Sequence, residues 1–190
     1  FQPAVDYDAP GAHDVVDGDY NGDGRLDLIA DKPGDAMPGA DRGIIYLLIN
    51  KGNGTFASVI AVSGAVSLPM LELGTQFTTS LASGDFNNDG RLDVAYSSEL
   101  RGVSILFGDG TGSLVGAQRY PTGVPSRYED EGGYPYRIFN VVRAADLNGD
   151  GLADLVMSDQ RNILTRLGNG DGTFQSVRGF AIDFNAGVVA

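Results

Sequence analysis

One nine-residue acidic segment occurs three times: Asp19-Tyr20-Asn21-Gly22-Asp23-Gly24-Arg25-Leu26-Asp27, Asp85-Phe86-Asn87-Asn88-Asp89-Gly90-Arg91-Leu92-Asp93 and Asp146-Leu147-Asn148-Gly149-Asp150-Gly151-Leu152-Ala153-Asp154. The first aspartates stand 66 and then 61 residues apart. That spacing accommodates a unit of four short strands and exceeds the length of common two-helix repeats. The chain is therefore expected to be an array of like units.

Alternating apolar and polar residues flank every copy, over 13–20, 78–86 and 139–147 before it and 26–30, 92–96 and 153–157 after it. Period-two alternation on both sides of a tight polar segment predicts a hairpin with the acidic loop at its tip. A third strand is predicted over 43–49, 102–107 and 162–167, where β-branched and aromatic residues favour extended chain. Each third strand runs into a glycine-rich turn, at 51–56, 108–114 and 168–174, where Gly and Asn supply the positive φ of tight turns. A fourth, outer strand completes the unit. With 28 glycines and no convincing amphipathic stretch of helical length, the fold class is all-β.

The units so defined are 12–63, 78–123 and 138–184. Phe1-Gln2 matches Phe174-Gln175, so residues 1–11 are expected to form the outer strand of a preceding unit. Residues 186–190 resemble the stretch before the first loop and are expected to begin a following one. The chain reads as cut from a longer array.

The loops have the chemistry of a hard-cation site. Calcium takes six to eight oxygen ligands, which a short segment supplies from alternate positions around a sharp turn. Side chains at the first, third and fifth positions are Asp19, Asn21 and Asp23; Asp85, Asn87 and Asp89; and Asp146, Asn148 and Asp150. Gly24, Gly90 and Gly151 permit the turn, the carbonyls of Arg25, Arg91 and Leu152 point inward, and Asp27, Asp93 and Asp154 close the shell. An EF-hand would need Glu at the twelfth position and helical flanks; Ala30, Tyr96 and Met157 stand there, between strands. Magnesium is the lesser alternative, because it prefers a tighter octahedron that keeps several waters. Three structural calcium sites are expected.

In these loops and their strand flanks the chain resembles the FG-GAP/VCBS repeats, the calcium-loop blades of the integrin α-subunit propeller and of many bacterial surface and secreted proteins. The resemblance covers practically the whole sequence. It implies four-stranded antiparallel propeller blades, about three here plus partial terminal ones, with the loop joining the two inner strands. Three blades do not close a ring, so either a longer chain or a self-associated copy must supply the neighbours.

A net charge of -12 argues against nucleic acid or an anionic membrane surface as a partner. Nine of the acidic residues lie in the loops, so three divalent ions would bring the balance to about -6. No apolar run reaches the roughly 18–20 residues needed to span a bilayer, and no basic-then-apolar stretch marks a signal peptide at the start. Without cysteine there are no disulfides or thiolate sites. Millimolar extracellular calcium suits such loops, so the expected location is extracellular, secreted or cell-surface.

Function is expected on the face opposite the loops. Connections of unequal length gather there, at 31–42, 63–77 and 120–138. The last carries Tyr128, Glu129, Glu131, Tyr134 and Tyr136, side chains that could stack on a sugar, grip a protein or cover the blade ends. Catalytic constellations are thin: His13, the only histidine, sits at a strand start, and no other base serves a Ser or Thr nucleophile. Asn53-Gly54-Thr55 is a glycosylation sequon that also forms the repeated turn. The chain is expected to be a non-enzymatic adhesion or binding scaffold, with a lectin-like propeller and a part of a polysaccharide-degrading enzyme as alternatives.

Overall fold

A computed structural model describes residues 5–7, 9, 11–32, 44–57, 60–61, 80–98, 102–120, 139–159 and 162–181. Among them twelve strands and no helix form three four-stranded antiparallel sheets, each a meander in chain order. The first holds β1 (Asp14–Gly18), β2 (Asp27–Lys32), β3 (Ile44–Leu48) and β4 (Ile60–Ala61). The second holds β5 (Leu81–Gly84), β6 (Asp93–Ser98), β7 (Gly102–Gly108) and β8 (Leu114–Tyr120). The third holds β9 (Phe139–Ala145), β10 (Asp154–Asp159), β11 (Asn162–Arg166) and β12 (Arg178–Ala181). Periodicity extends the first strands through Tyr20 and Phe86, but the ladders stop at Gly18 and Gly84. The reason is chemical: the N–H groups of Tyr20 and Phe86 donate to the Asp27 and Asp93 carboxylates instead of to a neighbouring strand.

The sheets stack face to face. Tyr20, Ile29, Ile45 and Leu47 of the first sheet pack on Leu81, Val94, Tyr96, Leu106 and Leu114 of the second. Ala82, Phe86, Ala95, Val103, Ile105 and Tyr120 then pack on Val142, Leu155, Met157 and Leu164 of the third. Successive strand residues point to opposite faces, so a sheet buried on both sides needs apolar residues at consecutive positions, as in Ile45-Tyr46-Leu47-Leu48. Burying one large side chain contributes about 1.5–3 kcal/mol, and these two layers hold the array together. The first strands β1, β5 and β9 run side by side through the stack.

The far face of the first sheet is covered differently. Ala30, Tyr46 and Leu48 lie under Tyr7, Ala9 and Phe56. The Tyr7 ring meets Phe56 edge-on, with centroids 5.4 Å apart, and its hydroxyl accepts the Phe56 N–H at 2.9 Å. Tyr120 of β8 meets Phe174 of the third sheet in the same way, at 4.9 Å. Tyr7 and Ala9 thus stand against the first sheet as Tyr120 of β8 stands against the third.

Candidate metal centre

All three loops fold alike because their own side chains satisfy their peptides. Asp19 accepts the N–H groups of Asp23 and Gly24 at 3.0 and 2.8 Å; Asp85 does so for Asp89 and Gly90, and Asp146 for Asp150 and Gly151. The third-position amides Asn21, Asn87 and Asn148 accept the N–H two residues on, and the fifth-position carboxylates Asp23, Asp89 and Asp150 do the same for the seventh residue. Gly24, Gly90 and Gly151 have φ of 80°, 82° and 84°, a region a Cβ disfavours.

The ninth position does more than the sequence indicates. Asp27, Asp93 and Asp154 are completely buried. One oxygen of each accepts the second-position N–H, from Tyr20, Phe86 or Leu147. The other accepts the N–H at the end of the third strand, from Asn50, Gly108 or Gly168, at 2.8–2.9 Å. Each carboxylate therefore pins its loop to two strands. Gly108 and Gly168 leave no room for a Cβ beside the Leu92 and Ala153 carbonyls. Asn50, in the same position, finds room and donates its amide to the Leu26 carbonyl at 2.9 Å.

Electrostatics mark the site as a concentration of negative charge. Burial, reinforced by Asp89 and Asp85, pushes the Asp93 carboxyl up to about 6, against the opposing pull of the Gly108 and Phe86 N–H groups. Peptide N–H groups, that of Gly151 first, hold Asp146 below the usual carboxylate range. Arginine answers part of the charge in the first two loops: the Arg25 guanidinium closes on Asp23 at 2.5 Å, and Arg91 lies 3.7 Å from Asp89. Leu152 gives the third loop no such cation.

Among the described residues no three or more Asp, Glu, His or Cys side chains are gathered closely enough to ligate one ion as they stand. The donor set nonetheless fits calcium in kind: it is all oxygen, spread over alternate positions of a tight loop. A carboxylate oxygen that accepts one N–H retains lone-pair capacity for a cation. Tyr120, expected to open the 120–138 connection, instead ends β8, and residues 121–138, Tyr128, Glu129, Glu131, Tyr134 and Tyr136 included, lie outside the described residues, as do 33–43 and 62–79.

Four-stranded meanders packed face to face, each carrying an acidic loop between its first two strands, are blades of a β-propeller. A model of the FG-GAP-like repeat matches twice, over residues 19–96 and 85–157, and the chain belongs to that family. Integrin alpha-PS5 of Drosophila melanogaster is 34% identical over 152 residues, 76% of this chain and 14% of that protein. Integrin alpha-PS3 of the same organism is 31% identical over 150 residues, 76% of this chain and 13% of that protein. The phosphatidylinositol-glycan-specific phospholipase D of Dictyostelium discoideum is 28% identical over 169 residues, and 17% of it is covered. This chain thus spans a small part of each relative's length. Among solved structures, an Agrocybe aegerita lectin that recognises non-reducing terminal N-acetylglucosamine superposes with a TM-score of 0.56 at 24% identity, over 92% of this chain and 39% of the lectin. The Photorhabdus luminescens Tc holotoxin pore gives a TM-score of 0.53 at 20% identity, over 96% of this chain and 7% of that one. Among the described residues no helix is long and apolar enough to cross a membrane.

Proposed function

We propose that the chain is a calcium-stabilised propeller segment of an extracellular or cell-surface protein, acting as a scaffold for adhesion or binding and not as an enzyme. The observation that carries this reading is the repeated placement of one all-oxygen donor set at the joint between the first two strands of every blade, in a chain related to integrin alpha subunits. Residues 12–63, 78–123 and 138–184 are read as the three blades, with 1–11 and 186–190 belonging to adjoining ones. Asp19, Asn21, Asp23, the Arg25 carbonyl and Asp27 would hold one ion, their counterparts in the other loops two more. Because the ninth-position Asp also grips the third strand, an ion there would tie three strands together. Uptake in the first two loops requires the Arg25 and Arg91 guanidinium groups to leave Asp23 and Asp89.

Calcium at a hundred times its dissociation constant stabilises a fold by about 2.7 kcal/mol per site. Chelation should accordingly lower the melting temperature of the chain, and the combined Asp23→Ala, Asp89→Ala and Asp150→Ala variant should melt at one temperature with or without chelator. A wild-type melting temperature indifferent to chelator, with no calorimetric uptake of calcium, overturns the reading.

The ligand is proposed to bind opposite the loops, through Tyr128, Glu129, Glu131, Tyr134 and Tyr136. Protein is the first reading. Glycan is the second, since Tyr134 and Tyr136 offer surfaces on which a sugar can stack. Binding on a glycan array that is lost with Tyr134→Ala or Tyr136→Ala would decide for the second. Turnover of a polysaccharide abolished by Glu129→Gln or Glu131→Gln would instead make the segment part of a glycan-degrading enzyme.

A further inference from the structure

The residue after the first ligand of each loop is held from two sides, and in two of the loops the second hold comes from the next blade. Tyr20 gives its N–H to Asp27 at 3.1 Å, while its carbonyl accepts the N–H of Gly112, in the glycine turn of the second blade, at 3.0 Å. Phe86 gives its N–H to Asp93 at 2.9 Å, and its carbonyl accepts the N–H of Gly172, in the turn of the third blade, at 3.0 Å. The same turns lie against the ligand at the third loop position. A Cβ added to Gly112 would lie 3.5 Å from the Cβ of Asn21, and one added to Gly172 would lie 3.7 Å from that of Asn87.

The third loop differs. Leu147 is 45% exposed, whereas Tyr20 and Phe86 are 3% and 1% exposed. A Cβ on Gly22 would meet the Gly110 carbonyl at 3.6 Å, but one on Gly149, the equivalent residue, would meet nothing within 4 Å among the described residues. At the other end of the stack Gly54 occupies the turn position of Gly112 and Gly172, and a Cβ there would also enter open space.

We propose that the glycine turn of each blade sets the cation affinity of the loop before it: Gly112 for the first loop and Gly172 for the second. The proposal rests on the calcium reading above. Its physical basis is preorganisation. The peptide joining residues 20 and 21 carries Asn21, so fixing its carbonyl fixes the direction from which the Asn21 oxygen approaches, and the ordering cost is met before the ion arrives. Groups that orient metal ligands in this way are typically worth about 10- to 100-fold in affinity. Linkage makes the effect reciprocal: an ion in the first loop must strengthen docking of the second blade's turn by the same factor.

Gly54 serves as the backbone control. Gly54, Gly112 and Gly172 have φ of 79°, 85° and 80°, so alanine strains the backbone alike at each; at Gly112 the added Cβ also comes within 3.2 Å of the Ile49 side chain and at Gly172 within 2.8 Å of the Phe107 ring, which makes Gly112→Ala the milder probe of the two. Terbium serves as a luminescent calcium surrogate, and Tyr20, within the first loop, sensitises an ion bound there. In the 190-residue chain Gly112→Ala should raise the terbium concentration for half-maximal Tyr-sensitised emission about 10-fold, while Gly54→Ala leaves it unchanged. Equal effects of the two substitutions overturn the proposal. Should Gly112→Ala not fold, amide exchange on the wild-type chain tests the reciprocal arm. Calcium should slow exchange at Gly112 and Gly172 but not at Gly54, and exchange indifferent to calcium at all three overturns the coupling. Absence of terbium and calcium uptake by every loop overturns the calcium reading itself, a result distinct from uptake that ignores Gly112.

Discussion

Asp14 and Asp31 face one another directly across β1 and β2, an arrangement that places two carboxylates where the second blade has Ser80 and Ser97. Asp14 reaches across to the second blade and accepts the Leu81 N–H at 2.9 Å, as Ser80 accepts the Val142 N–H at 3.2 Å. Asp31 is 1% exposed; its Oδ1 accepts the Asp14 N–H at 2.7 Å, and its Oδ2 is buried without a hydrogen-bond partner. Burial, helped to a lesser degree by the Asp14 charge, pushes the carboxyl from 3.8 up to about 6, against the opposing pull of the Asp14 N–H and of His13. A carboxyl whose folded value is raised stabilises the fold while protonated, and that contribution is lost as pH rises through about 6. Asp31→Ser, which copies the second blade, should therefore be more favourable at pH 7.5 than at pH 5. The difference in melting temperature between variant and wild type should move upward by about 2–4 °C across that interval, the shift that about 1 kcal/mol produces at this chain length. Parallel melting curves at the two pH values would refute the assignment. Asp31 gave one sequence signal, an Asp where the matching positions hold Ser97 and Ser158, but its isolation depends on burial that spacing does not reveal.

The loops were legible because a cation dictates oxygen-bearing side chains at alternate positions, and the glycine turns because positive φ dictates glycine. What they touch was not legible. Gly108 lies 15 residues beyond Asp93, and Gly112 meets a loop in another blade, so neither contact leaves a local pattern. The second loop position was silent for a related reason: Tyr20, Phe86 and Leu147 share only bulk, and whether that bulk is core depends on the next blade. Phe86 packs against Phe174 with centroids 5.8 Å apart. Phe86→Ala should consequently cost about 3–5 kcal/mol, whereas Leu147→Ala, at the same loop position, should stay within about 0.5 kcal/mol. Urea unfolding of the two variants would check this, and equal losses would count against the reading that the next blade decides whether this position is core.

Across the whole molecule the same row of residues changes character from blade to blade. Ser80, Ser97, Val103 and Tyr120 are cross-strand neighbours buried against the third blade. Their counterparts Val141, Ser158, Ile163 and Phe180 form one row on the last blade, in which Val141, Ile163 and Phe180 are exposed, Phe180 to 59%. Val141, unlike Asp14 or Ser80, offers no side-chain acceptor to a following strand. Replacing both Ile163 and Phe180 by Ser should reduce binding of an apolar dye to the 190-residue chain while leaving its unfolding free energy within about 1 kcal/mol. A collapse in stability instead would mean that this row is core.

The Tyr7–Phe56 contact gives the stack a direction. Along its outer edge the first blade already has the aromatic partner that Phe174 takes from Tyr120, while Phe180 at the other end stands in solvent. A second copy adding its third blade to this first one would have to evict Tyr7 to seat its own Phe180. If Tyr7 blocks that step, light scattering at rising concentration of the 190-residue chain should find larger multiples with Tyr7→Ala than with the wild type, and equal scattering would show that Tyr7 bars nothing.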